Sequence, residues 1–348
     1  MLKEQRKAMP NTPTQIAVLV QNELGLDLNQ VFHEAVSMGA EIVHKPLYHT
    51  QNTDEIIRTA QGFDYVVAGR EPWNAEVLTA CAGKLKGIAR FGAGFETVDL
   101  ETASNLGVAV CNAPGVNSKA VAEQTLALTL SVLRRIATYD RGLREGGVTA
   151  KMTQTLEGTV ALLGFGNIGR QFARLLSVFP VKVIAYDPYP NYAAAEALGV
   201  EIVDMETAIT TADIISLHLP AVKEMHDFIC KDTIAKMKDG VYIINTSRGF
   251  AVNEHDLAEA LRIGKVAGAG LDAFKVEPFD QESELKELPN VVLTPHSAAV
   301  STQAVRMVFE HCADVIASYM KGENPRSLLN PEYREAREHA EKLLKKEA

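Results

Sequence analysis

The run VALLGFGNIGR, residues 160–170, limits the fold more than any other stretch of the chain. Gly164, Gly166 and Gly169 form G-x-G-x-x-G directly after an apolar run and directly before a segment of helical period. In that setting the first glycine permits a tight turn and the second lets the backbone approach an anion. The third lets the helix pack closely on the strand, so that the N–H groups of Asn167 and Ile168 face the anion at a helix N-terminus. Outside that setting the same glycines would mark only a turn. The next apolar run, VKVIAY, leads to Asp187, 18 residues beyond Gly169. This is about the spacing at which a doubly wound fold places the acid that holds the ribose hydroxyls of a dinucleotide. Pro188, Tyr189 and Pro190 follow, and none of them can receive a 2′-phosphate. Repulsion from Asp187 then makes NAD, rather than NADP, the expected cofactor.

The glycine motif sits in one of two series in which short apolar runs alternate with helical segments. The first holds IAVLV (Ile16 to Val20), EIVHK, DYVVA (Asp64 to Ala68), KGIAR and VAVCN. The second holds TVALL, VKVIAY, DIISLHL, GVYIINTS, VAGAGLD and NVVLTP. Alternation of this kind predicts parallel sheets built from βαβ units. Between the series, residues 118–143 have no Pro, and no Gly before Gly142; with Ser118 as cap, they predict one long helix. A second helix is predicted from Thr302 to about Lys321, followed by a charged tail from Glu332 onwards that reads as a solvated helix or a frayed end.

Composition removes several classes of function. A chain of 348 residues with 47% hydrophobic and 23% charged residues is long enough for two ordinary domains and apolar enough to order them. Its formal charge of −9 is spread out, with no basic cluster to neutralise phosphates, so nucleic acid is not an expected partner. Cys81, Cys111, Cys230 and Cys312 lie far apart, in neither a CxxC pair nor a metal-ligand spacing, which predicts reduced core thiols and no metal. The stretch MLKEQRKAMPNTPT lacks the apolar segment of a secretory signal, and no run is long enough to span a bilayer. The expectation is a cytoplasmic protein with no membrane contact.

From here ARFGAG, NAPGVNSKAVAE, NTSRG, GLDAFKVEP and TPH, in this order over residues 60–325, resemble the D-isomer-specific 2-hydroxyacid dehydrogenase family. Within it the chain is most similar to short phosphoglycerate dehydrogenases without a regulatory domain. The resemblance implies an α/β fold of two Rossmann-like domains with parallel sheets, the NAD-binding domain (113–297) inserted into a flavodoxin-like substrate domain (1–112 and 298–348). It implies a small 2-hydroxy or 2-oxo acid as substrate and a homodimer with the helix from Ser118 at its interface. Glyoxylate/hydroxypyruvate reductase and D-lactate-type activities are the enzymatic alternatives. An NAD(H)-sensing protein like the transcriptional corepressors of this fold is the alternative of another class.

Reducing a 2-oxo acid puts negative charge on the carbonyl oxygen, so a site needs a cation to polarise it and an acid to protonate it. Arg248, just past GVYIINTS, is placed at the carboxyl end of a sheet, where a guanidinium fork could hold carboxylate and carbonyl oxygens together. By resemblance His296 is the proton donor and Glu277 the carboxylate that orients it, an anion that favours the imidazolium. Asp272 matches a residue that contacts the nicotinamide amide; the lesser alternative is a helix or turn cap. Further cofactor contacts are implied at Leu219, Pro220, Thr246, Ser247 and Ala298, as well as at Arg248 and His296. Arg90 opens RFGAG, where the N–H groups of Ala93 and Gly94 would hold the substrate carboxylate in an anion nest. The sequence departs from the family there: Glu96-Thr97 replaces Asp-Asn, and Phe95 replaces a smaller residue. The family's phosphate-contacting arginine aligns with Ala68 rather than Arg70. Phosphate recognition would then fall to Arg90, or to Arg134 or Arg135 of the partner subunit, unless those two only form the exposed face of a helix.

Overall fold

Runs of Val, Ile and Ala without a polar alternation suit strands buried on both faces, as in parallel sheets covered by helices. The computed structural model describes residues 13–48, 50–220 and 223–338. The expected N-terminal extension through residue 12 and the tail past residue 338 lie outside the described residues. Two compact units emerge, one from the described residues through Asn117 and from Thr302 onwards, the other from Ser118–Ser301.

The first unit has five parallel strands: β1 (Thr14–Val18), β2 (Ala40–His44), β3 (Tyr65–Ala68), β4 (Gly87–Arg90) and β5 (Ala109–Cys111). Their order is β2-β1-β3-β4-β5, the flavodoxin-like arrangement. Phe309 and Ile316 of helix Thr302–Met320 belong to one core cluster, and Ile56 and Leu78 to another. Every residue of β3 and of β4 is buried as a result.

The second unit has seven parallel strands: β6 (Gly158–Leu163), β7 (Val181–Tyr186), β8 (Glu201–Ile202), β9 (Ile214–Leu217), β10 (Val241–Asn245), β11 (Val266–Leu271) and β12 (Val291–Leu293). They lie in the order β12-β11-β10-β9-β6-β7-β8, so the direction of winding reverses between β6 and β9. That is the order of a dinucleotide-binding fold, with a ligand crevice expected beyond the strands' carboxyl ends at the reversal. The chain of this unit falls between the two segments of the first.

Three expectations need correction. The single long helix is two, Ser118–Arg134 and Ile136–Arg144, because Arg135 turns into the left-handed region at φ +55°. The first helix buries Val121, Leu128 and Val132, whereas the second buries no residue; the apolar packing face ends and the chain leaves the sheet. Ser118 is the first helical residue rather than the cap. The second series was expected to hold six strands and has seven, because the edge strand β8 has two residues, too few to show a period. Among the described residues no helix is long and apolar enough to cross a membrane, and no group of three His, Cys, Asp or Glu side chains could hold a metal ion.

Candidate active site

In the second unit most of the expected site residues follow strand ends. The glycine loop leaves β6, Asp187 follows β7, Leu219 follows β9, and Thr246, Ser247 and Arg248 follow β10. Asp272 follows β11, and His296 follows β12. Gly164 has φ +105°, and a Cβ on it would lie 2.6 Å from the His218 carbonyl oxygen, so only glycine fits this turn. A Cβ on Gly169 would come within 2.3 Å of the Gly164 carbonyl oxygen, whereas one on Gly166 would meet nothing within 4 Å. The first and third glycines are therefore required by the fold. The second keeps open a surface that a pyrophosphate needs. Helix Asn167–Leu176 starts there with Gly166 as cap and no side-chain cap bond, so its leading N–H groups are suited to an anion.

Asp187 ties this loop to the neighbouring strand end. One carboxylate oxygen accepts from Phe165 N at 2.7 Å and the other from Tyr189 N at 2.8 Å. An ionised carboxylate has about four acceptor positions, which leaves room for two ribose hydroxyls. These features fit a dinucleotide. Beneath the loop His218 is half-buried, and burial pushes its pKa down to about 3, so it stays neutral, with Nε2 2.9 Å from Ser216 Oγ. Leu219 is buried and Pro220 exposed.

Nδ1 of His296 lies 2.7 and 2.8 Å from the two carboxylate oxygens of Glu277. A carboxylate only accepts, so Nδ1 carries a proton and Nε2 is the nitrogen available for exchange. Both side chains are about one-quarter exposed, at 28% and 25%, so the pair is neither dry nor fully solvated. His296 itself is in the left-handed region at φ +52°, a conformation that costs about 1–3 kcal/mol unless its surroundings impose it. Asp272, 1% exposed, imposes it from both sides. Its Oδ1 accepts from Thr294 Oγ1 at 2.6 Å and Ser297 N at 2.9 Å, and its Oδ2 from Ala298 N at 2.9 Å. The geometry thus gives Asp272 the turn-capping role that the sequence left open, and Ala298 a backbone N–H already engaged. Thr246 Oγ1 lies 2.8 Å from Thr125 Oγ1, and Arg248 Nη1 donates to the Ser247 carbonyl at 3.0 Å.

In the first unit the segment RFGAG leaves β4. Gly92 O accepts from Ala113 N at 2.9 Å and Ala93 O from Asn112 Nδ2 at 2.6 Å. With those carbonyls engaged, the N–H groups of Ala93 and Gly94 have no partner among the described residues, as an anion nest requires. Arg90, by contrast, is only 6% exposed and donates through Nη1 to the Phe91 carbonyl at 2.6 Å. Burial lowers its pKa, with Glu71 opposing that shift. Glu71 is the acid that sequence reasoning passed over: it is 1% exposed, its pKa is raised by burial, and it accepts from Gly69 N at 2.9 Å and Trp73 Nε1 at 3.2 Å. Arg134 is exposed and donates to Thr153 Oγ1 at 3.3 Å.

Residues 126–298 match the model of the D-isomer specific 2-hydroxyacid dehydrogenase NAD binding domain. A D-3-phosphoglycerate dehydrogenase of Archaeoglobus fulgidus is 37% identical over 281 residues, 80% of this chain and 53% of that protein. The chain thus spans about half the length of that relative. A hydroxypyruvate reductase of Thermotoga maritima is 41% identical over 73% of this chain and 84% of its own length. The apo-structure of D-lactate dehydrogenase from Escherichia coli superposes with a TM-score of 0.78 at 30% identity, over 90% of this chain and 99% of that one. With one relative 41% identical over most of its own length, this chain belongs to the D-isomer specific 2-hydroxyacid dehydrogenase family, and residues 126–298 are its NAD-binding domain.

Proposed function

We propose that the protein is an NAD-dependent oxidoreductase that interconverts a small D-2-hydroxy acid and its 2-oxo acid. The observation that carries the reading is the Glu277–His296 pair, whose two-oxygen contact fixes one imidazole nitrogen as donor and leaves the other for proton exchange. When bound, the nicotinamide supplies or accepts the hydride at carbon 2. In reduction, His296 Nε2 gives a proton to the forming hydroxyl, and the Glu277 carboxylate compensates the imidazolium in the resting site. Arg248 holds the substrate carboxylate and polarises the carbonyl through its planar fork. Ala93 and Gly94 supply backbone N–H groups to the same class of anion. Arg90, being buried, braces this loop. Gly164 to Gly169 and Asp187 hold the dinucleotide, with Leu219, Pro220, Thr246 and Ser247 around it.

The named relatives act on phosphoglycerate and hydroxypyruvate, both three-carbon acids, and a substrate of that size is proposed here. We also propose a homodimer in the cytoplasm. Ile136, Leu143 and Met152 are exposed on and just after helix Ile136–Arg144, where a second copy would cover them, and the four cysteines are free. The test is NADH oxidation with glyoxylate, hydroxypyruvate, phosphohydroxypyruvate and pyruvate, with chiral analysis of the products of the last three. Turnover to a D-2-hydroxy acid supports the reading; NADH binding with no turnover of any of them overturns it.

A further inference from the structure

Asn245 ends β10 with its side chain fully buried, and both halves of its amide are in use. Oδ1 accepts from Ser247 N at 2.9 Å and from Ser247 Oγ at 2.8 Å, while Nδ2 donates to the Arg248 carbonyl at 2.9 Å. Ser247 in turn offers its carbonyl to Arg248 Nη1 at 3.0 Å, so one amide sets both the backbone of the turn and the peptide that receives the guanidinium. The turn is fixed to its neighbours as well. The Asn245 carbonyl accepts from Asp272 N at 2.9 Å, and Thr246 Oγ1 meets Thr125 Oγ1 at 2.8 Å.

We propose that Asn245 is a positioning residue for Arg248, holding the strand-end turn so that the guanidinium fork meets the 2-oxo acid already oriented. The inference rests on the role proposed above for Arg248. Only a side chain carrying a donor and an acceptor of this length meets both demands. A carboxylate at the position keeps the acceptor for Ser247 but sets a second acceptor against the Arg248 carbonyl. A shorter hydroxyl cannot span from Ser247 to Arg248, which leaves the Arg248 carbonyl to the longer bond from Ala251 N at 3.4 Å. Orientation of a bidentate group matters because displacement by about 1 Å can cost on the order of 10²-fold in rate.

The experiment compares Asn245→Asp and Asn245→Ser with the wild type for KM of the 2-oxo acid, kcat, NADH dissociation constant and Tm, each also in an Arg248→Lys background. The expected result is a KM for the 2-oxo acid raised at least tenfold and an NADH constant raised by clearly less than that, since Gly164 to Gly169 and Asp187 follow other strands and Asn245 reaches the dinucleotide through Ser247. In the Arg248→Lys background the same substitutions should cost less than about threefold more, because no fork remains to be oriented. A purely structural role would lower kcat and Tm, leave KM unchanged, and give losses that add in the double variants; that outcome overturns the proposal. Loss of NADH binding with melting below the assay temperature in both variants also overturns it, by assigning Asn245 to the fold. Absence of turnover by the wild type is a separate result: it removes the proposed function, and this inference with it.

Discussion

Two methyl groups, placed three residues apart, should separate the fold of the nucleotide loop from its ligand. Gly169→Ala sets a Cβ 2.3 Å from the Gly164 carbonyl oxygen, a backbone atom that cannot swing away. Overpacking of this kind costs about 1–3 kcal/mol. In a unit of this size each kcal/mol lowers Tm by about 2–4 °C, so a fall of roughly 2–12 °C is expected. Gly166→Ala sets its Cβ where nothing lies within 4 Å, and although Gly166 is an N-cap at ψ −154°, where glycine is preferred to alanine, Tm should fall by clearly less than in Gly169→Ala. The methyl instead stands on the surface assigned to the pyrophosphate. The same overpacking cost, about 1–3 kcal/mol, then appears in binding as a roughly 5- to 150-fold weaker Kd for NADH. Differential scanning calorimetry and NADH fluorescence titration on both variants check the pair. Unchanged NADH affinity in Gly166→Ala would refute the assignment of the loop, since the open face would then have no ligand to protect.

Replacing Asp187 by Ala should narrow the preference for NADH over NADPH in kcat/KM by weakening ribose binding and relieving repulsion; an unchanged ratio argues against the role given to this carboxylate. Arg248→Lys keeps the charge and loses the fork, so kcat/KM for the 2-oxo acid should fall at least about 10²-fold while the NADH constant holds; wild-type turnover would take Arg248 out of the mechanism. His218 gives a pH dependence of stability. Burial holds its folded pKa at about 3, below an unfolded value of about 6.5, so its contribution is complete above that value and is lost as the pH falls towards about 3, to a total on the order of 5 kcal/mol. Urea midpoints measured between pH 7 and about 4 should therefore fall less steeply in His218→Gln than in wild type.

The two sheets were legible because most strands are rich in Val, Ile, Leu or Ala and several end at Gly, Asp or Asn, as β3, β6, β7 and β11 do, and the glycine loop because its spacing has a mechanical meaning. The break at Arg135 was not. An arginine carries no turn signal, and its left-handed conformation follows from where the apolar face of the preceding helix stops. At the site, the resemblance put Arg90 at the opening of the substrate loop; β4 lies between β3 and β5 with both faces covered, and its last side chain is drawn inside, which residue type alone does not show. Asn245 stood in full view within NTSRG. Its role comes from an amide bonded on both sides, which only coordinates reveal; a polar residue closing an apolar strand next to Arg248 was the signal that could have drawn attention to it.

The most direct test of the central claim, that the Glu277–His296 pair moves the proton for a reaction on the NAD-binding unit, is His296→Ala assayed for 2-oxo acid reduction alongside NADH binding. His296 is the group with an exchangeable nitrogen in the pair, and loss of a general acid typically costs about 10²–10⁴-fold. A fall of that size in kcat is expected with the NADH dissociation constant unchanged within about twofold, because Gly164 to Gly169 and Asp187 are untouched. Near-normal turnover in His296→Ala would contradict it.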